Sequence, residues 1–201
     1  NFYPIGYEKP EDGVVKLAFG LGKSVVDGDQ VLRFSPKYPR SVLQTSTPDL
    51  TMRETQQAMY ALNLQPDKFK TSVDDAVNLE SEEKNHNRNI GFRALSKVVS
   101  TWDYENQRIV DSPVPQGPKF VTFAHILKYN TFPLADILNE LLEITQKEVK
   151  CGVEIEFAAD LDRNGGKRAC DVFNVLQIRP ISADGMYNRI DWGKINDSDA
   201  L

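Results

Sequence analysis

Cysteine and histidine are nearly absent, with two of each in 201 residues. Cys151 and Cys170 lie far along the chain from His86 and His125, so no standard zinc-site spacing can be assembled. Long apolar runs are missing too. Charge breaks each of them well short of the ~20 residues that cross a bilayer, and no signal-peptide pattern opens the chain. These absences predict a soluble, cytoplasmic protein with no membrane partner. An excess of positive charge is the third lack: 24 Lys and Arg stand against 29 Asp and Glu, a formal charge of −5. That disfavours a nucleic-acid partner, which needs clustered cations along its phosphates, but it leaves room for a small anion in a local basic pocket. There is no internal repeat and no low-complexity tract.

What is present suffices for a packed core: 40% of the residues are hydrophobic, including ten Phe and seven Tyr. The length predicts one domain. The first residue is Asn1, and Tyr3, Ile5 and Tyr7 already alternate like a strand, so residues 1–201 are expected to be a single-domain fragment of something longer. Asp12-Gly13 reads as a turn before the apolar run V-V-K-L-A-F, which ends at the glycines of G-L-G. Val31, Leu32 and Phe34 predict a short strand, and the prolines at 36, 39 and 48 make residues 35–50 a surface connection. Residues 51–63 carry good helix formers, weakened by Thr51 and Thr55. Residues 70–93 read as a solvated loop around a short edge strand, and 70–112 as an insertion or variable segment. Leu95, Val98, Val99 and Trp102 before D-Y-E-N, with Q-R-I-V-D after it, predict two strands around a turn. K-F-V-T-F-A begins another strand.

Pro133 opens the clearest helix, residues 133–149, with Leu134, Ile137, Leu138, Leu141, Leu142 and Ile144 as its apolar face. Two strands follow, V-E-I-E-F-A-A-D and D-V-F-N-V-L-Q-I-R-P-I, and Asn164-Gly165-Gly166 between them predicts a hairpin turn. The expected fold class is α+β, a largely antiparallel sheet with packed helices. Cys151 and Cys170 flank the hairpin and are expected to be reduced, buried thiols. His86 reads as an exposed loop residue and His125 as a satisfied structural one.

The hairpin carries the chemistry. Alternation sends Val153, Ile155 and Phe157 to one face and Glu154 and Glu156 to the other, about 7 Å apart. On the returning strand Gln177 and Arg179 are likewise two apart, with Leu176 and Ile178 opposite. Two carboxylates, an amide and a guanidinium on one face suit a metal-bound polyphosphate, because Mg²⁺ takes hard oxygens and Arg offers a planar fork to phosphate. Plain cross-strand ion pairs, each contributing about 0.2–1 kcal/mol, are the alternative. The upstream G-L-G-K-S matches the end of a P-loop, but Leu17 stands where the first glycine belongs, and V-V-D-G-D allows only a short turn in place of a long phosphate-binding helix.

Taken together, V-E-I-E-F followed by V-L-Q-I-R-P-I resembles the end of the nucleotide-binding domain of the phosphoenolpyruvate synthase and pyruvate phosphate dikinase family, where an acidic-x-Glu strand precedes a Gln-x-Arg strand. The loop G-L-G-K-S-V-V-D-G resembles that family's G-L-G-E-x-V-V-x-G. The resemblance implies the later part of an ATP-grasp domain that holds ATP and Mg²⁺. It implies Glu156 and Gln177 at the metal, Arg179 as the catalytic phosphate clamp, Glu154 as an acidic partner, and Gly20, Gly22, Val25, Val26 and Gly28 lining the nucleotide. Lys23 stands where the family carries Glu. The implied partners are the N-terminal half of the nucleotide domain, a phosphohistidine domain and a pyruvate-binding barrel, through which a phosphoryl group passes from ATP to His and then to pyruvate. A noncatalytic β-rich interaction module is the competing expectation.

Overall fold

The computed structural model describes residues 4, 6–56, 58–62, 65–74, 77–83, 92–161 and 170–181. Within them the chain is α+β, built from small antiparallel sheets. Strand β1 (Val15–Leu17) pairs with β2 (Leu32–Phe34), and β3 (Ala58–Leu62) pairs with β4 (Leu79–Glu83). A third sheet has β5 (Val99–Asp103) between β6 (Arg108–Val110) and β7 (Lys119–Val121). The long hairpin is β8 (Val153–Asp160) with β9 (Val172–Pro180). Its Asn164-Gly165-Gly166 turn and His86 lie outside the described residues. No helix among the described residues is long and apolar enough to cross a membrane.

The helix expected over 51–63 is half helix and half strand. Helix α2 (Pro48–Glu54) is capped by Thr47, whose hydroxyl accepts the Leu50 N–H at 3.2 Å, with Pro48 in the first turn where its missing donor costs nothing. Thr51 and Thr55 each donate a hydroxyl hydrogen back to the carbonyl four residues earlier, at 2.9 and 2.6 Å. Such bonds compete with the helix ladder, and Thr55 turns to extended backbone. Pairing of β3 with β4 then outweighs the helical preference of A-M-Y-A-L.

A second correction falls at residues 95–98, the start of an expected strand, where helix α3 (Phe92–Val98) stands instead. Leu95 and Val98 are three apart and share one buried helical face. The expected two strands begin at Val99 and close around a turn in which the Asp103 carboxylate accepts the Glu105 and Asn106 N–H groups at 3.0 and 3.3 Å. Before β7, Gly117 has φ +150°, and a Cβ there would sit 2.0 Å from the Trp102 carbonyl oxygen, so only glycine fits. Phe123 holds left-handed backbone at φ 51° just before helix α4 (Ala124–Leu127).

Helix α5 (Leu134–Val149) forms as expected, with Pro133 as its cap residue. Leu134 and Leu138 are buried, while Ile144 is 51% exposed because the last turns run past the core. Residues 35–50 are only partly a surface connection, since Ser35, Pro36 and Val42 are buried and the Asn139 amide donates to the Pro36 carbonyl at 2.9 Å. The core joins Val15, Leu32, Phe34, Val98, Phe123 and Leu134, and Phe19, Phe157 and Phe173 pack against it.

One extra residue sets the geometry of the hairpin. Glu154 pairs with Arg179 and Glu156 with Gln177, then Phe157 pairs with Val175, so Leu176 has no partner and forms a β-bulge. Without it, Phe173, Val175, Gln177 and Arg179 would all share one face. With it, Phe173, Val175 and Ile178 join Ile155 and Phe157, while Gln177 and Arg179 join the two glutamates. Phe157 and Phe173 stack at 5.2 Å on the apolar side. The expectation that Leu176 lies beside Ile178 on a packed face is therefore corrected: Leu176 is bulged and 64% exposed. Both cysteines are exposed rather than buried. Cys151 precedes β8 and Cys170 precedes β9, and antiparallel pairing puts those two positions at opposite ends of the hairpin.

Candidate functional site

The polar face of the hairpin carries Glu154 directly across from Arg179 and Glu156 directly across from Gln177. All four project from one side, as strand alternation requires. Arg179 donates from Nε to Glu154 Oε2 at 3.2 Å and from Nη2 to Glu154 Oε1 at 2.9 Å, a two-bonded fork. Both side chains are about half exposed, 53% and 49%. The hydrogen bonds and charge of Glu154, with a smaller push from Glu156, raise the Arg179 pKa above its ordinary value. Arg179 is thus permanently cationic.

Glu156 and Gln177 place a carboxylate and an amide oxygen on facing positions. This hard-oxygen pair fits Mg²⁺, which is commonly held by one or two carboxylates, with substrate phosphates and water completing its shell. Among the described residues no three Asp, Glu, His or Cys side chains gather into an all-protein cage.

The glycine loop has its own structural logic. Gly20, at φ +98°, lies where a Cβ would come within 3.1 Å of the Tyr60 carbonyl oxygen and 3.2 Å of Met59 Cβ, so its smallness lets the loop sit on β3. Gly22 caps helix α1 (Lys23–Val26), four residues long, and Gly28 turns the chain at φ +80°. The expected short turn in place of a P-loop helix is what forms. Val25 is half-buried and Val26 exposed. Lys23 pairs with Asp27 at 2.6 Å and lies 5.9 Å from the Tyr60 ring centroid. The Asp27 carboxylate, chiefly through its hydrogen bond, raises the Lys23 pKa.

The structure therefore groups the proposed site residues in two sets. Glu154, Glu156, Gln177 and Arg179 share the hairpin face, whereas Gly20, Gly22, Val25, Val26 and Gly28 gather around α1 and β3. Phe19 from the loop and Phe157 and Phe173 from the hairpin pack against the same buried cluster. Sequence reading missed Gln56, which is buried and holds the loop like a strand partner: its amide oxygen accepts the Phe19 N–H and its amide nitrogen donates to the Phe19 carbonyl, both at 2.7 Å. A lone Gln between helix and strand carries no periodic signal. His125 has the expected hydrogen-bond partner, its Nε2 lying 2.7 Å from the Asp111 carbonyl oxygen.

Comparisons with protein-family models, with curated proteins and with solved structures find no match to this chain.

Proposed function

We propose that this chain is the later part of an ATP-grasp nucleotide-binding domain in a phosphoenolpyruvate synthase-like phosphotransferase. Glu156 and Gln177 hold Mg²⁺, Arg179 binds the phosphate being transferred, and the loop from Gly20 to Gly28 lines the nucleotide with Val25 and Val26. The acceptor is a His on another domain, from which the phosphoryl group passes to pyruvate. One observation carries this reading: the cross-strand register that puts an acidic pair and a Gln-x-Arg pair on one solvent-facing surface. Mg²⁺ at Glu156 and Gln177 would offset the polyphosphate charge, and Arg179 would bind charge that grows on the phosphoryl oxygens.

The test uses the full-length polypeptide that carries this chain, incubated with labelled ATP and Mg²⁺. Arg179→Met or Glu156→Gln is expected to abolish protein phosphorylation with circular dichroism unchanged, because loss of such a clamp costs several kcal/mol, on the order of 100-fold or more. Labelling close to wild type in both variants would assign the residues to structure. The isolated 201-residue chain should take up no stoichiometric label, as one cation and one metal pair are few donors for a polyphosphate.

A noncatalytic interaction module is the second reading, favoured by the exposed apolar side chains of Val175, Leu176 and Ile178 and by the closure of Glu154 on Arg179. It predicts nucleotide binding that is absent or independent of Mg²⁺.

A further inference from the structure

We infer that Glu154 is a positioning residue: it holds one edge of the Arg179 guanidinium so that the adjacent edge faces a phosphate, and it leaves the metal to Glu156 and Gln177. This rests on the nucleotide-binding reading above and assigns Glu154 a role that the shared polar face does not by itself reveal.

Guanidinium is planar and carries five N–H donors in fixed directions. The bonds from Nε to Oε2 at 3.2 Å and from Nη2 to Oε1 at 2.9 Å occupy its side edge. The end edge, made by Nη1 and the outer Nη2 hydrogen, lies in the same plane and turns away from Glu154. Two anions can therefore share one arginine, a carboxylate at the side and a phosphate at the end.

The same bonds make Glu154 a poor metal ligand. Both of its oxygens are engaged by a cation, and an incoming Mg²⁺ would compete with that cation for them. Glu156 has a different neighbour: it faces the Gln177 amide, which adds an oxygen donor and no positive charge. At half exposure the Glu154–Arg179 pair adds little to folding stability. Its larger effect is on direction, since a free arginine side chain samples many rotamers and a forked one is held close to a single orientation.

Two measurements test the assignment. In the 201-residue chain, nitrogen-15 NMR follows exchange of the Arg179 Nε hydrogen with water, which is expected to be slow in wild type and fast in Glu154→Gln. In the full-length polypeptide, Glu154→Gln is expected to slow labelling from ATP by on the order of tenfold or more while the half-saturating Mg²⁺ concentration stays within about twofold. Glu154→Asp, which keeps the charge on a shorter stem, should recover part of both effects. A rise of about tenfold or more in half-saturating Mg²⁺ for Glu154→Gln would place Glu154 at the metal and overturn this inference alone. Unchanged Arg179 exchange in that variant, with wild-type labelling intact, would do the same. A wild-type polypeptide with no Mg²⁺-dependent label would defeat the nucleotide reading, and this inference with it.

Discussion

Asp12 shows how much a single side chain can hold. Its carboxylate is almost fully enclosed, 2.8 Å from Lys37 Nζ and 2.8 Å from the Lys9 backbone nitrogen. The Lys37 hydrogen bond, ahead of the opposing effect of burial, pulls the Asp12 pKa below its usual value. Between that depressed value and the ordinary carboxylate value the unfolded chain binds the extra proton, so stability rises with pH across the window. We expect the Asp12 contribution to be complete above the ordinary carboxylate range and to be lost as pH falls through the lowered pKa. Thermal melts of Asp12→Asn against pH should show a shallower acid limb than wild type, and parallel limbs would refute the assignment. Glycine positions separate two costs in the same way. Gly117→Ala meets both a carbonyl oxygen and an unfavourable φ, and should lose about 2–4 kcal/mol by urea denaturation. Gly28→Ala meets open space at φ +80° and should lose only about 1–2 kcal/mol. Equal losses would show that the close approach at Trp102 is relieved.

At the scale of elements, the hairpin is fastened to the body by its apolar aromatics and by an ion pair from Lys97 on α3 to Asp171 beside β9 at 2.5 Å. The pair is largely screened from water, so Lys97→Met, which removes this cation from the carboxylate, should cost about 1–3 kcal/mol. Hydrogen exchange in β8 and β9 should accelerate ahead of exchange in β5; uniform acceleration would mean the hairpin does not open separately. The hairpin, β1, β2, β7 and α5 were legible because each has a strong local pattern, such as V-E-I-E-F or L-A-D-I-L-N-E-L-L. The Leu176 bulge was not, since V-L-Q-I reads equally well as unbroken alternation and only pairing with β8 reveals the added residue. Residues 58–62 were misread because A-M-Y-A-L suits a helix and its strand state depends on a partner some twenty residues away. The four polar site residues were legible for the opposite reason: spacing of two fixes their faces wherever the strands happen to pair.

At the scale of the whole molecule, β9 leaves Val175, Leu176 and Ile178 exposed on a hairpin that, among the described residues, forms a two-stranded sheet. Such an edge invites pairing with another chain. Leu176→Lys should reduce self-association of the isolated chain in sedimentation velocity without lowering its melting temperature by more than a few degrees, because the bulged side chain is 64% exposed. Unchanged association would place the contact elsewhere. The same bulge also bears on how this gene can change length. Loss of the Leu176 codon would leave Glu154 opposite Arg179, Glu156 opposite Gln177 and Phe157 opposite Val175, now as an uninterrupted ladder. Loss of the Ile178 codon would make Gln177 and Arg179 adjacent, and alternation would send them to opposite faces. We expect the first deletion to keep a native circular-dichroism spectrum and the Arg179 Nε exchange of wild type, and the second to lose that protection. Position 176 is thus where this strand can absorb an in-frame deletion and keep the phase of both its faces.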